Sequence, residues 1–202
     1  MNNLPTDFNK DFVLEHIHEV ANIIRDALND CAGYVLEEKG DRGLSIAIRG
    51  IEWVRDLMLK TVNSGKYPYL GIKRKGANFV ISIDGVPVKF HKGDIDNLRS
   101  NITKISDIER LYLQEELFHF DNTDAPYNLI WRYVIDTNHF DRTVENIYMC
   151  GFDGNRPVCI YNVPLSEDMR VLVDVNEPVK EAFDIEAPRI GLKLRVKKAS
   201  NE

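Results

Sequence analysis

Lys89 and His91 stand two residues apart, and Asp94, Asn97, Arg99 and Asn101 follow closely behind them. An imidazole can move a proton, and an ammonium or guanidinium can hold the charge of a phosphorane. The set could therefore bind a phosphate, or cleave RNA without a metal. The first two are the catalytic candidates, and Asp94, Asn97, Arg99 and Asn101 are candidates for binding. Arg132 is a further catalytic candidate, because it sits between Ile130 and Val134 where a buried guanidinium needs a carboxylate or phosphate partner. Asp136 or Glu145 is the expected structural partner. The competing reading of the whole region is a sheet face with ordinary solvated charges, followed by a loop that caps a helix.

Other reactive groups carry weaker patterns. His16 and His18 in EHIHE point about 200° apart on a helix, so they cannot share one ion, and a solvated helix face is expected. His119-Phe120-Asp121 and His139-Phe140-Asp141 are two HFD triplets in turn-forming stretches, where the Asp is expected to cap a turn and the Phe to anchor it. Glu115 and Glu116 are adjacent on a helix and diverge. Cys31, Cys150 and Cys159 have neither paired-cysteine spacing nor an even count, so core packing is expected and no metal site or cofactor is. There is no nucleophile elbow, phosphate loop or zinc signature, and no motif here names a reaction.

The elements that must position these groups are organised around residues 78–94, NFVISIDGVPVKFHKGD. Asp84-Gly85 suits a primed two-residue turn, which places Ile83 opposite Val86, Ile81 opposite Val88 and Phe79 opposite Phe90. The large apolar side chains then share one face, while Lys89 and His91 share the other. Before this hairpin, apolar residues from Phe8 to Leu28 and from Leu44 to Val62 recur helically, and Leu70 to Ile72 begins a strand. After it, a helix is expected near 105–117, with Ser106 or Asp107 at its start, and then strands over Leu129–Asp136, Val144–Phe152 and Pro157–Pro164. Met169–Val175 and Ile190–Val196 read as two further strands, the last basic on its outer face. The fold class is α+β: an N-terminal helical hairpin (1–65) on a mainly antiparallel sheet (66–202) built from two β-meanders with an intervening helix, in one domain over 1–202.

At 202 residues, 44% hydrophobic and 29% charged, the chain can hold one sizeable core. Its net charge of −6 excludes indiscriminate nucleic-acid binding by the molecule as a whole. Lys66, Lys73, Arg74 and Lys75 nevertheless gather near the first strand, where they could meet an acidic partner. The N-terminal residues lack the pattern of a secretion signal and no run of about 18 apolar residues is present, so no membrane role and a cytoplasmic location are expected.

The order of helices, then Phe79–Phe90 (FVISIDGVPVKF), then the polar stretch with Asn97 and Asn101, then a helix, Trp131–Asp136 (WRYVID) and IYMCGFDGNRPVCIYNVPL, resembles a group of small, largely uncharacterised bacterial proteins. These are encoded beside regulators with Xre-type helix-turn-helix or ImmA/IrrE-type domains, in toxin–antitoxin or phage-defence modules. The likeness covers about residues 69 to 165 and carries over no catalytic residue. It implies a toxic or defensive effector restrained by a cognate protein partner, an antitoxin or regulator; RNA as a target comes instead from the Lys89–His91 reading. Two readings follow: an effector working through the Lys89–His91–Arg99 face, and a non-catalytic regulatory module that docks another subunit. A third, an enzyme on a small ligand, would need a pocket lined by Tyr133, Tyr148 and Tyr161.

Overall fold

Asp84 and Gly85 both take positive φ, 53° and 88°, in the computed structural model, as a primed hairpin turn requires. The strands on either side, β2 (Val80–Ile83) and β3 (Val86–Lys92), pair with Ile83 opposite Val86 and Ile81 opposite Val88. The Phe79 and Phe90 rings meet edge to face at 6.0 Å. The structure describes residues 4–34, 42–76, 78–98, 100–118 and 129–166. The strands expected over Met169–Val175 and Ile190–Val196 lie outside these.

β1 (Leu70–Arg74) pairs with β2, while β4 (Ile130–Thr137), β5 (Val144–Asp153) and β6 (Arg156–Asn162) form a second antiparallel meander. One six-stranded sheet results, in the order β1-β2-β3-β4-β5-β6. The two meanders meet through β3 and β4, which run parallel. A parallel neighbour cannot be reached by a tight turn, so the chain crosses over between the two strands, and its described residues 93–98 and 100–118 lie against a sheet face. This crossover contains two short 3-10 turns, at Ile95–Asn97 and Ser100–Thr103, and a helix, labelled α4 (Asp107–Phe118). The helix thus begins at Asp107, one of the two starts its sequence offers, and Ile102 packs from the preceding 3-10 turn.

Three helices precede the sheet: α1 (Pro5–Phe8), α2 (Leu14–Gly33) and α3 (Gly43–Asn63). The single N-terminal helix expected from Phe8 onward is broken, since Asn9 is extended (φ −142°, ψ 112°) and its side chain accepts from Asp11 N–H. Arg49 donates to the Tyr34 carbonyl near the end of α2, whereas Tyr69, beyond α3, stacks on His16 near the start. α3 therefore runs back along α2. Ile17, Val20, Ile24, Val54 and Met58 from this pair share a core with Ile81, Val88, Trp131, Tyr133 and Met149.

The opposite sheet face has its own apolar cluster, Ile130, Val134, Cys150 and Phe152, closed by Ile102 from the crossover. The sheet is thus covered on both sides along β4, where six consecutive residues are buried. Gly151 is required at that layer, since a Cβ there would lie 2.9 Å from Leu129 Cδ1 and 3.0 Å from the Trp131 ring. Among the described residues no helix is long and apolar enough to cross a membrane.

Candidate functional site

Lys89 on β3 and Arg132 on β4 are register partners in the parallel joint. Like charges facing each other across a ladder repel, and one carboxylate resolves this. Glu109 of α4, 1% exposed, accepts from Lys89 Nζ at 2.6 Å and from Arg132 Nη1. Ser106 adds its backbone N–H at 2.7 Å and its hydroxyl at 2.6 Å. The rest of the guanidinium goes to carbonyls of the crossover and its own strand: Ile102 at 2.8 Å, Lys104 at 3.3 Å and Trp131 at 2.8 Å. Burial alone would raise the Glu109 carboxyl, but the Arg132 charge and the bonds from Lys89 and Ser106 outweigh it and hold it below the usual carboxylate range. Burial lowers both Lys89 and Arg132, against the pull of Glu109.

Arg132 is buried, as its place between Ile130 and Val134 predicts, while Lys89, read as part of an open working face, is committed to Glu109. The crossover covers that face, and the partner of Arg132 is Glu109, with neither Asp136 nor Glu145 in its place; Glu145 accepts from Asn138 instead. Of the other expected residues, His91 is half-buried in register with Val134. Asp94 caps a 3-10 turn, its Oδ1 accepting from Asp96 N–H at 2.9 Å. Asn97 is exposed in that turn. Arg99 lies outside the described residues, as does the side chain of Asn101. No open phosphate site is assembled from Lys89, His91 and Arg132.

Tyr133, Tyr148 and Tyr161, which an enzyme on a small ligand would need around one pocket, are not gathered into one among the described residues. Tyr133 is fully buried with its hydroxyl donating to the Ile17 carbonyl, while Tyr148 packs against the cluster on the opposite sheet face. His119-Phe120-Asp121 lies outside the described residues. In the second triplet Asp141 does hold its turn, accepting from Thr143 N–H and hydroxyl, but Phe140 is 96% exposed and anchors nothing. Burial pushes the thiols of Cys150 and Cys159 up to about 12 and about 11. Among the described residues no three His, Cys, Asp or Glu groups could hold a metal.

A different site emerges where the hairpin turn meets α2. The β2–β3 turn brings Asp84 to the first turn of that helix, and its Oδ2 accepts from Val13 N–H at 3.1 Å. A carboxylate here satisfies a helix donor and complements the helix dipole. Its other oxygen lies 2.7 Å from His16 Nδ1. The imidazole is then held flat: its ring stacks on Tyr69 with centroids 3.6 Å apart and planes 5° from parallel. Tyr69 is fixed in turn by donating its hydroxyl to Glu19, and burial together with that carboxylate raises its pKa. His16 Nε2 has no partner among the described residues, and the side chain is 28% exposed. His18, by contrast, bonds Tyr161 at 2.8 Å on another side of α2.

The histidines of EHIHE are therefore two packed and bonded side chains, and the solvated face expected there is corrected. In the sequence Asp84 reads as a turn residue alone, since no local pattern links position 84 to position 16. A His whose Nδ1 faces a carboxylate while Nε2 is open has the geometry of a general acid–base group. No family model, curated protein or solved structure matches the chain.

Proposed function

We propose that this chain is a toxin-like or phage-defence-associated bacterial effector that acts on RNA, with His16 as its acid–base group and a cognate protein partner to restrain it. The observation that carries the reading is the His16–Asp84 pair, with Nδ1 held at 2.7 Å and Nε2 free of partners among the described residues. In this reading Nε2 takes the proton of a ribose 2′-hydroxyl and the 2′-oxygen bonds to the adjoining phosphorus. The P–O5′ bond then breaks and protonated His16 returns its proton to the 5′-oxygen, leaving a 2′,3′-cyclic phosphate and a 5′-hydroxyl. No metal or co-reactant is consumed. Asp84 positions the ring and stabilises the imidazolium.

Inducible expression in a bacterial host, read by growth and by total RNA on a gel, tests this. Wild-type chain is expected to arrest growth with fragmented RNA, and His16→Ala to lose about 10²- to 10⁴-fold of the cleavage rate. Asp84→Asn retains a residue tolerant of positive φ and is expected to fold yet cut slowly. Arrest with intact RNA would refute the RNA target.

A second reading, a non-catalytic module that docks another subunit, is favoured by the β1 edge. Among the described residues only β2 pairs with β1, and Lys66, Lys73 and Lys75 around it are exposed. That reading expects a stable complex with an acidic partner, and no cleavage.

A further inference from the structure

Beside His16 the aromatic stacking continues outward. Tyr69, against the imidazole at 3.6 Å, meets the Tyr67 ring edge to face at 5.8 Å, and the ammonium of Lys66 sits over Tyr67, 5.1 Å from its centroid. Tyr67 is half-buried and Lys66 exposed. One ordered row therefore runs from the acid–base group to a surface cation: His16, Tyr69, Tyr67, Lys66. The row is held at its inner end by Asp84 and Glu19.

We propose that Lys66 and Tyr67 are the substrate-positioning platform for single-stranded RNA at this site, an inference that rests on the RNA reading of His16. Tyr67 offers a π-face to one base, and such stacking tolerates any base because every base has one. The Lys66 contact is a weak lid on that face, since an exposed cation–π pair is easily given up. A base that displaces the ammonium leaves it free to pair with the neighbouring phosphate. The platform thus supplies both parts of single-strand recognition, a stacking surface and a backbone cation, next to the group that would take the 2′-proton. Double-stranded RNA, whose bases are stacked on each other, is not offered the same contact.

The test uses the whole chain and two short oligouridines, one of RNA and one 2′-O-methylated throughout so that it can bind but not be cut. Fluorescence anisotropy with the methylated strand measures binding apart from cleavage. Tyr67→Ala is expected to weaken binding about ten-fold or more and to raise KM with little change in kcat, while Tyr67→Phe, which keeps the π-face, binds as wild type does. Lys66→Ala is expected to lower the salt dependence of log K by about 0.7, and His16→Ala to bind normally and cut nothing. Circular dichroism confirms that each variant is folded. Wild-type cleavage with unchanged binding by folded Tyr67→Ala would overturn the platform and leave the His16 reading standing. Tight, Tyr67-dependent binding without any cleavage would support the platform and remove the catalytic role of His16. A wild-type chain that neither binds nor cuts would overturn both.

Discussion

Two groups of charged side chains in this protein use the same ingredients to opposite ends. At the joint of β3 and β4, Glu109 faces Lys89, Arg132 and Ser106, and every strong donor around it is committed. At the hairpin turn, Asp84 faces His16 and one backbone N–H, and the imidazole keeps a nitrogen for something else. The first arrangement closes a crossover onto a sheet; the second leaves one imidazole nitrogen without a partner among the described residues. Each place pairs a carboxylate with a basic side chain, Glu109 with Lys89 and Arg132 and Asp84 with His16, and the number of donors on the carboxylate distinguishes them. Saturation of the carboxylate, more than the presence of reactive types, separates a structural cluster from a site.

The contrast can be broken by substitution. Glu109→Ala leaves Arg132 buried without its carboxylate, and a loss of about 3–5 kcal/mol in urea unfolding is expected. His16→Ala removes a part-exposed pair and should cost no more than about 1 kcal/mol, while lowering the proposed cleavage about 10²- to 10⁴-fold. If the two variants cost the same stability, the division between structural and functional cluster fails. Lys89→Met is expected to be intermediate, about 1.5–3 kcal/mol, because Glu109 retains Arg132 and Ser106.

The smallest effect comes from acid. The folded state holds Glu109 below its ordinary value near 4.5, so the unfolded chain binds its proton first as pH falls. Its contribution is complete above that value and is lost as pH drops through the lower folded-state pKa. Unfolding midpoints measured from pH 6 down to 3 should therefore fall less steeply for Glu109→Gln than for wild type.

Much of the fold was legible because its signals are local. Alternation from Phe79 to Phe90 around Asp84-Gly85 fixes a hairpin, and the S-x-x-E spacing of Ser106 and Glu109 marks a helix start, where the structure shows Glu109 accepting from both the N–H and the hydroxyl of Ser106. That spacing was the one available clue to Glu109, and it signals a helix start without revealing a second duty. What stayed illegible is non-local. Lys89 read as surface because its strand alternates correctly, but the crossover that buries that face is set by the parallel joint, which no pair of adjacent segments announces. The same holds for His16 and Asp84, 68 positions apart. Helical spacing identified the face of His16 without identifying what lies against it.

The parallel joint also sets the order of assembly. Within each meander the strands are joined by short turns and can close in microseconds. β3 and β4 come together only once residues 93–129 have looped back, and longer closures form later and more slowly. We predict that the joint closes after the rate-limiting step, so that Glu109→Ala leaves the refolding rate nearly unchanged and places its whole effect on unfolding. Stopped-flow chevrons of that variant would show it as a raised unfolding arm. The lifetime of the native molecule would then depend strongly on one buried carboxylate that lies outside the proposed site.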